Sequence, residues 1–493
     1  MTTPDLSRFN LAAHVLAAGA ETPDKVALAI LTLTGAERWS YARLIRAVRG
    51  CGGWLRAQGL RPGDRVLIRL GNRPAYPVLY LGAIAAGMVP VATSPLLTAP
   101  EITRMAAVVR PRLTVADEAV AVPEGVPALP GDLAEWEAAA PCDWHLGPAE
   151  REGYIVFTSG TSGTPLAVRH AHRAILARGY MYQGWEGLGP NDRLLHAGAF
   201  NWTYTMGTGL MDPWTVGATA LIAAPSVSLD HLSLVLRRHD ATILAAVPTV
   251  LRRLLRAGLP ALPRLRHALS AGEPLPRDLR ADWQATTGTD IHEALGMSEV
   301  STFISGAPDR PAPMGATGFP QTGRRVAVLG DDGRPLPPGE IGVLAISTAD
   351  PGLMLSYEGA DPPQGPWFAT GDLVHQDHGG AIHYHGRADE MMNPGGVRVS
   401  PREVEQALLG LPGVTDLAVA EVEVAPGTRV ALCFYAGQPL PEGTAQAFAA
   451  ERLARYKCPR GYVHVSEIPR GPTGKVNRRA LAALYGNGTN DPA

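Results

Sequence analysis

Seven consecutive residues, Thr158-Ser159-Gly160-Thr161-Ser162-Gly163-Thr164, carry five hydroxyls and two glycines directly after the apolar run Tyr154 to Phe157. Glycine lets the backbone turn where a side chain would clash, so successive N–H groups can point at one spot. The hydroxyls add donors, and the result suits phosphate oxygens. A flexible connector has the same composition, but connectors rarely follow a buried strand so abruptly. The loop is not a Walker A sequence. The only comparable Gly-Lys pair, Gly474-Lys475, has Pro469 where the first glycine of that motif should stand, which argues against a P-loop NTPase.

Further clusters sit near expected strand ends or joints: Ser270-Ala271-Gly272-Glu273-Pro274, Glu293-Ala294-Leu295-Gly296-Met297-Ser298-Glu299, Thr370-Gly371-Asp372, Gly386-Arg387-Ala388-Asp389 and Pro472-Thr473-Gly474-Lys475. Lysine is scarce: Lys25, Lys457 and Lys475 are the only three among 44 basic residues. A lysine beside a glycine-bearing turn therefore stands out from a generic surface charge.

The elements that must hold these residues alternate. Leu11 to Ala18 reads as helix, Val26 to Leu31 as strand and Tyr41 to Ala57 as an amphipathic helix. Arg65 to Leu70 and Val89 to Ala92 read as strands around a helix near Pro77 to Gly87. After a proline-rich surface excursion over residues 121–150, helices and strands alternate again to about Thr286. Such alternation implies α/β layers with a largely parallel sheet. Around Gly315 the pattern changes to short strands and turns, a small β subdomain. Beyond the glycine-rich joint Gly386 to Gly396, about a hundred residues form a compact α+β unit. The expected fold class is α/β: a large N-terminal domain of layered α/β subdomains with a small β subdomain (1–388), and a small mobile α+β C-terminal domain (389–493).

The 493 residues exceed one ordinary core. A formal charge of −2 gives no sign of nucleic acid or an anionic membrane as partner. Four separated cysteines, Cys51, Cys142, Cys433 and Cys458, fit no metal-ligand spacing and read as reduced thiols of a cytoplasmic protein. No membrane span or signal peptide is expected.

In this order, the six clusters resemble the acyl-adenylate-forming (AMP-binding) superfamily over nearly the whole chain, most closely the benzoate-type and medium-chain acyl-CoA ligases. The resemblance implies that ATP and a small carboxylic acid give acyl-AMP and pyrophosphate, after which a thiol, CoA, displaces AMP. ATP, Mg2+ and CoA are the implied cofactors. Thr158, Glu299 and Lys475 become candidate catalytic residues, with Glu299 linked to the metal and Lys475 bridging the substrate carboxylate and the α-phosphate. Ser159 to Thr164 would cradle phosphate. Gly272, Glu273 and Pro274, with Glu293, Ala294, Leu295, Gly296, Met297 and Ser298, would line the adenine slot. Asp372 would accept from both ribose hydroxyls, and Arg387 would contact ribose or phosphate. Asp389 matches a hinge about which the small domain rotates, and Gly395 and Gly396 would line the thiol tunnel. Phe200, Asn201, Trp202, Tyr204 and Phe303 suggest an apolar, compact acid pocket.

The chain departs from the family pattern at Leu166, where most relatives carry a lysine that helps hold the departing pyrophosphate. Arg169 lies near enough in sequence to substitute. Two alternatives to a CoA ligase therefore stay open: a stand-alone adenylation enzyme that loads an acyl carrier protein or another nucleophile, and an adenylate-binding protein with diminished catalysis. Either a monomer or a homodimer is compatible with the sequence.

Overall fold

The computed structural model describes residues 4–158, 166–388, 392, 399–425, 428–453, 455–471 and 475–486. The chain divides into two compact units, residues 1–325 with 346–368, and residues 326–345 with 369–493.

The first unit is built on two mixed sheets. One runs in the order Ser356–Tyr357, Leu166–Ala171, Glu152–Thr158, Val89–Ala92, Arg65–Arg69, Leu113–Ala116 and Ala128–Pro130. Its strands are parallel except at the edge where Glu152–Thr158, Leu166–Ala171 and Ser356–Tyr357 pair antiparallel. The other has nine strands, with Asp290–Met297, His267–Ala271, Ile243–Ala245 and Arg193–His196 as parallel neighbours in its centre.

Local sequence explains several elements. Helix Tyr41–Ala57 starts where the Ser40 hydroxyl accepts from the Arg43 N–H, satisfying one of the free donors of its first turn. Its apolar face, including Leu44, Val48, Cys51 and Leu55, is fully buried. Helix Ala75–Ala85 is apolar all round and buried at every position, as a helix inside a layered core must be. Residues 121–150 are not a plain surface excursion. They add strand Ala128–Pro130 to a sheet edge and helix Leu133–Ala138 to the core, where the buried Trp136 meets Trp54 at 5.7 Å between ring centroids.

Strands Val326–Leu329, Ile341–Ser347, Trp367–Gln376 and Ile382–Arg387 form a four-stranded sheet of the second unit, with only residues 346–347 and 367–368 counted in the first. Helix Pro401–Leu408 and strands Val414–Ala425, Thr428–Gly437 and Gly461–His464 build the α+β part. All four cysteines are free thiols. Among the described residues no helix is long and apolar enough to cross a membrane.

Candidate active site

Strand Glu152–Thr158 delivers its last residue, the half-buried Thr158, to the mouth of the hydroxyl-rich loop. Ser159, Gly160, Thr161, Ser162, Gly163 and Thr164 lie outside the described residues. The chain returns as strand Leu166–Ala171, with Leu166 directly opposite Thr158 and 40% exposed. An exposed leucine at this position contributes little to the core, so the missing lysine is not explained by packing.

Arg169 does not take the lysine's place. Side chains alternate faces along a strand, so Arg169 and Leu166 point to opposite sides of the sheet. The Arg169 guanidinium donates to Glu152 at 2.8 Å and to Ser356 Oγ at 3.3 Å, and lies 3.4 Å from Glu358. Arg65 closes the same network, 2.8 Å from Glu358 and 3.1 Å from Glu152. Arg169 is thus a member of a four-residue ionic network.

The turns after His267–Ala271 and Asp290–Met297 leave from the same end of two parallel neighbours, the carboxyl edge where α/β sheets bind ligands. Ser270 pairs with Glu293 and Ala271 with Ala294, which brings Gly272, Glu273 and Pro274 beside the run Glu293 to Ser298. The Glu293 carboxylate accepts from the Leu275 N–H at 3.0 Å and so holds the first turn on the second strand. Met297 and Ser298 lead into Glu299, a buried carboxylate whose Oε1 accepts from Tyr357 Oη at 2.8 Å. Among the described residues no cluster of three or more His, Cys, Asp or Glu could hold a metal by itself. A single oriented carboxylate still fits magnesium, which commonly takes one or two protein carboxylates and completes its shell with phosphate and water.

Phe200, Asn201 and Trp202 follow strand Arg193–His196 and line a cavity of about 20 Å³ together with Tyr80, Tyr154, His170, Arg178, Ser298 and Ser301. Asn72 fixes their loop, donating to the Gly198 carbonyl at 2.8 Å and accepting from the Phe200 N–H at 2.9 Å. Tyr204 and Phe303 do not border this cavity. Tyr204 donates to the Leu269 carbonyl at 3.1 Å and packs edge-on against His196, while Phe303 is fully buried. Phe303 is a core residue, and Tyr204 is a partly buried residue packed against the core. His170, Arg178 and Ser301 were not singled out in the sequence. A pattern of helix and strand periods carries no sign that three polar residues from three elements meet.

In the second unit, Asp372 and Arg387 are direct partners across antiparallel strands, with their charged groups 3.6 Å apart. Arg387 also donates to the Thr370 carbonyl at 2.7 Å. Gly371 has φ 78°, and a Cβ there would come within 2.8 Å of the Arg387 guanidinium. Only glycine satisfies both the backbone and the arginine. Burial raises the Asp372 carboxyl, while Arg387, Thr370, Lys475 and Tyr384 draw it back down. Lys475 is exposed, and its carbonyl accepts from the Gly471 N–H at 2.8 Å. Asp389, Gly395 and Gly396 lie outside the described residues.

A strand that delivers a hydroxyl-rich loop, beside an aromatic cavity and adjoining strand ends, is the layout of an α/β small-molecule enzyme. Residues 15–358 match the AMP-binding enzyme family, and residues 403–475 match its C-terminal domain. The 3-hydroxybenzoate/4-hydroxybenzoate CoA ligase of Thauera aromatica is 30% identical over 480 residues, covering 90% of this chain and 91% of that protein. A benzoate CoA ligase from Burkholderia xenovorans LB400 superposes with a TM-score of 0.85 at 27% identity, covering 96% of this chain and all (100%) of that one. ATP-bound MatB from Rhodopseudomonas palustris superposes with a TM-score of 0.87 at 25% identity, covering 97% and 98% of the two chains. The chain belongs to the acyl-adenylate-forming, AMP-binding enzyme family.

Proposed function

We propose that this protein is an AMP-forming acid–thiol ligase that activates an aromatic or short-to-medium-chain carboxylic acid with ATP and transfers the acyl group to CoA. The observation that carries this reading is the aromatic cavity of Phe200, Trp202, Tyr80 and Tyr154, lying against the strand that feeds the hydroxyl-rich loop. Relatives named for benzoate and hydroxybenzoate, and a neighbour named as ATP-bound, support the acid class and the nucleotide.

A carboxylate oxygen attacks the α-phosphorus, the bond to the β-phosphate oxygen breaks, and pyrophosphate leaves. The CoA sulfur then attacks the acyl carbon, forming the thioester as the mixed anhydride's C–O bond breaks and AMP departs. The first step brings one anion onto another and needs charge neutralisation. Lys475 supplies a mobile positive charge to the carboxylate and α-phosphate, and the Ser159 to Thr164 loop supplies phosphate donors. Magnesium, when bound, neutralises phosphate charge, and Glu299 is the residue that would hold it. Asp372 accepts from the ribose, with Arg387 keeping it in place. Gly272 to Pro274 and Glu293 to Ser298 border the adenine. A hinge at Asp389, between domains 1–388 and 389–493, and a thiol tunnel at Gly395 and Gly396 complete the proposal.

The test is acid-dependent pyrophosphate release across aryl and alkyl carboxylates, with and without CoA. Release with a CoA thioester is expected. Release without a thioester would move the acceptor to a carrier protein, and silence with intact ATP binding would leave an adenylate-binding protein.

Leu166→Lys separates an impaired site from an intact one. The position is exposed, so stability should change by less than about 0.5 kcal/mol. A charge-assisted contact to the leaving pyrophosphate contributes roughly 1.5–3 kcal/mol, so kcat/KM for ATP should rise by about 10-fold or more. An unchanged value would mean that other donors already hold the pyrophosphate.

A further inference from the structure

The acid cavity has a polar pole that an apolar pocket does not require. Arg178, on helix Ala174–Met181, donates through Nε to Asp212 Oδ1 at 2.6 Å, and through Nη2 to Asp212 Oδ2 and to Thr208 Oγ1 at 3.1 Å. Its Nη1 donates to Ser301 Oγ at 2.7 Å. Gly207 backs the guanidinium so closely that a Cβ there would sit 2.3 Å from it, so the arginine has one position.

The charge of this pole is already balanced. Asp212 is fully buried against Arg178. The second buried carboxyl, Glu186, is pushed well up by burial and by Asp212, and it brings no positive charge to the pole. The Arg178 guanidinium, already held by the Asp212 carboxylate, has no positive charge to spare. A substrate tail with its own carboxylate would therefore arrive as an uncompensated buried anion.

His170 supplies the complementary function. Its Nε2 donates to the Ser298 carbonyl at 2.8 Å, so that nitrogen carries the hydrogen. Burial lowers the imidazole to about 4, and the ring is neutral at pH 7. Nδ1 is then a bare acceptor, buried and without a partner in the protein. The ring is held flat on Tyr154, with centroids 4.7 Å apart.

Ser301 is the third member. Its φ of 76° lies in the left-handed region, where a glycine would be relaxed and a serine is strained. A serine kept there, with its hydroxyl on Arg178, indicates that the hydroxyl matters. Ser298 opens the turn after strand Asp290–Met297, and Ser301 begins the antiparallel strand Ser301–Ser305 that follows it, so one strand–turn–strand unit sets both polar contacts.

We propose that His170 Nδ1 and the Arg178–Ser301 pair form a neutral acceptor-and-donor subsite that selects acids bearing an uncharged hydroxyl-type substituent. Such a group donates to His170 Nδ1 and accepts from Ser301 or Arg178. An unsubstituted acid leaves the histidine acceptor desolvated and unpaired, the situation in which a polar site rejects an apolar analogue most strongly. This deepens the ligase reading and rests on it for the identity of the cavity.

The test compares benzoate, the three ring-hydroxylated benzoates and the benzenedicarboxylates, with butyrate and its hydroxylated forms as an aliphatic set. Turnover is read as kcat and KM for the acid, and binding of each acid to the full chain is read by calorimetry. At least one hydroxylated acid should exceed its unsubstituted parent by about 30-fold or more in kcat/KM, mostly through KM, and the dicarboxylates should be poor. Ser301→Ala and His170→Phe, which keeps a ring on Tyr154, should each cut that ratio by about 10-fold. Equal use of hydroxylated and unsubstituted acids, or a ratio unmoved in both variants, overturns the subsite while leaving the ligase intact. Hydroxyl-dependent binding that both variants weaken, without pyrophosphate release, sustains the subsite and removes the ligase reading. Absence of both binding and turnover for every acid overturns both.

Discussion

Lys475→Ala should lower acyl-AMP formation by about 10²- to 10³-fold, the usual consequence of removing one oriented stabiliser of developing charge. The side chain is exposed, so stability should change by no more than about 0.5 kcal/mol, and the loss falls on chemistry. Thioester formation from supplied acyl-AMP and CoA should fall far less, because AMP leaves in that step without a new anion–anion approach. Lys475→Arg should recover little. A planar guanidinium fork does not replace a compact ammonium on a flexible stem, and a chain with three lysines among 44 basic residues already shows that arginine was available. The removed charge has a second consequence: Lys475 helps to draw the Asp372 carboxyl down, so the alanine variant should raise it further. Pyrophosphate exchange and single-turnover thioester formation measure the two half-reactions separately. Equal losses in both would assign Lys475 to binding rather than to the first step.

What the sequence makes legible depends on whether a feature is local. Strand Val26–Leu31, helix Tyr41–Ala57 and strand Val89–Ala92 stand at the residues where apolar spacing and turn residues put them. Each is set by a pattern within one segment. Phe200, Asn201 and Trp202 were legible as cavity residues for a similar reason, since an aromatic run after a strand end has few places to go. Tyr204, two residues on, was not distinguishable from them. Whether it faces the cavity or the core depends on a short helix, Thr203–Met206, that turns it toward Leu269. Arg169 illustrates the opposite failure. Its nearness to Leu166 in sequence was misleading, because a strand places residues three apart on opposite faces, and Glu152 and Glu358 capture it there. His170, Arg178 and Ser301 lay beyond reach for a further reason. They come from two strands and a helix, and only tertiary packing makes them neighbours.

The protein should lose stability steeply as pH falls from about 6.5 to 4.5. Four histidines are buried and held neutral: His170 is lowered to about 4, and His172, His196 and His292 to about 3, each mainly by burial. A histidine whose folded pKa lies below its unfolded value favours the folded state fully above pH 6.5. Its contribution is lost as pH drops through the unfolded value toward the folded one, because the unfolded chain takes up protons that the folded chain refuses. Carboxyls act against this trend. Glu186, Asp372 and Glu405 are raised by burial, so each holds its proton more readily in the folded chain than in the unfolded one. The histidines nevertheless prevail, since others such as His14 and His267 shift the same way. A net uptake of roughly two to four protons on unfolding corresponds to ~3–5 kcal/mol per pH unit. A fold with a stability of about 5–15 kcal/mol should therefore approach its unfolding transition near pH 5. Urea unfolding at pH 7.5, 6.5, 5.5 and 5.0, with proton uptake read by calorimetry in two buffers of different ionisation enthalpy, measures both the slope and the count. A midpoint that stays level down to pH 5 would mean that water reaches these imidazoles and that the buried carboxyls dominate the acid response.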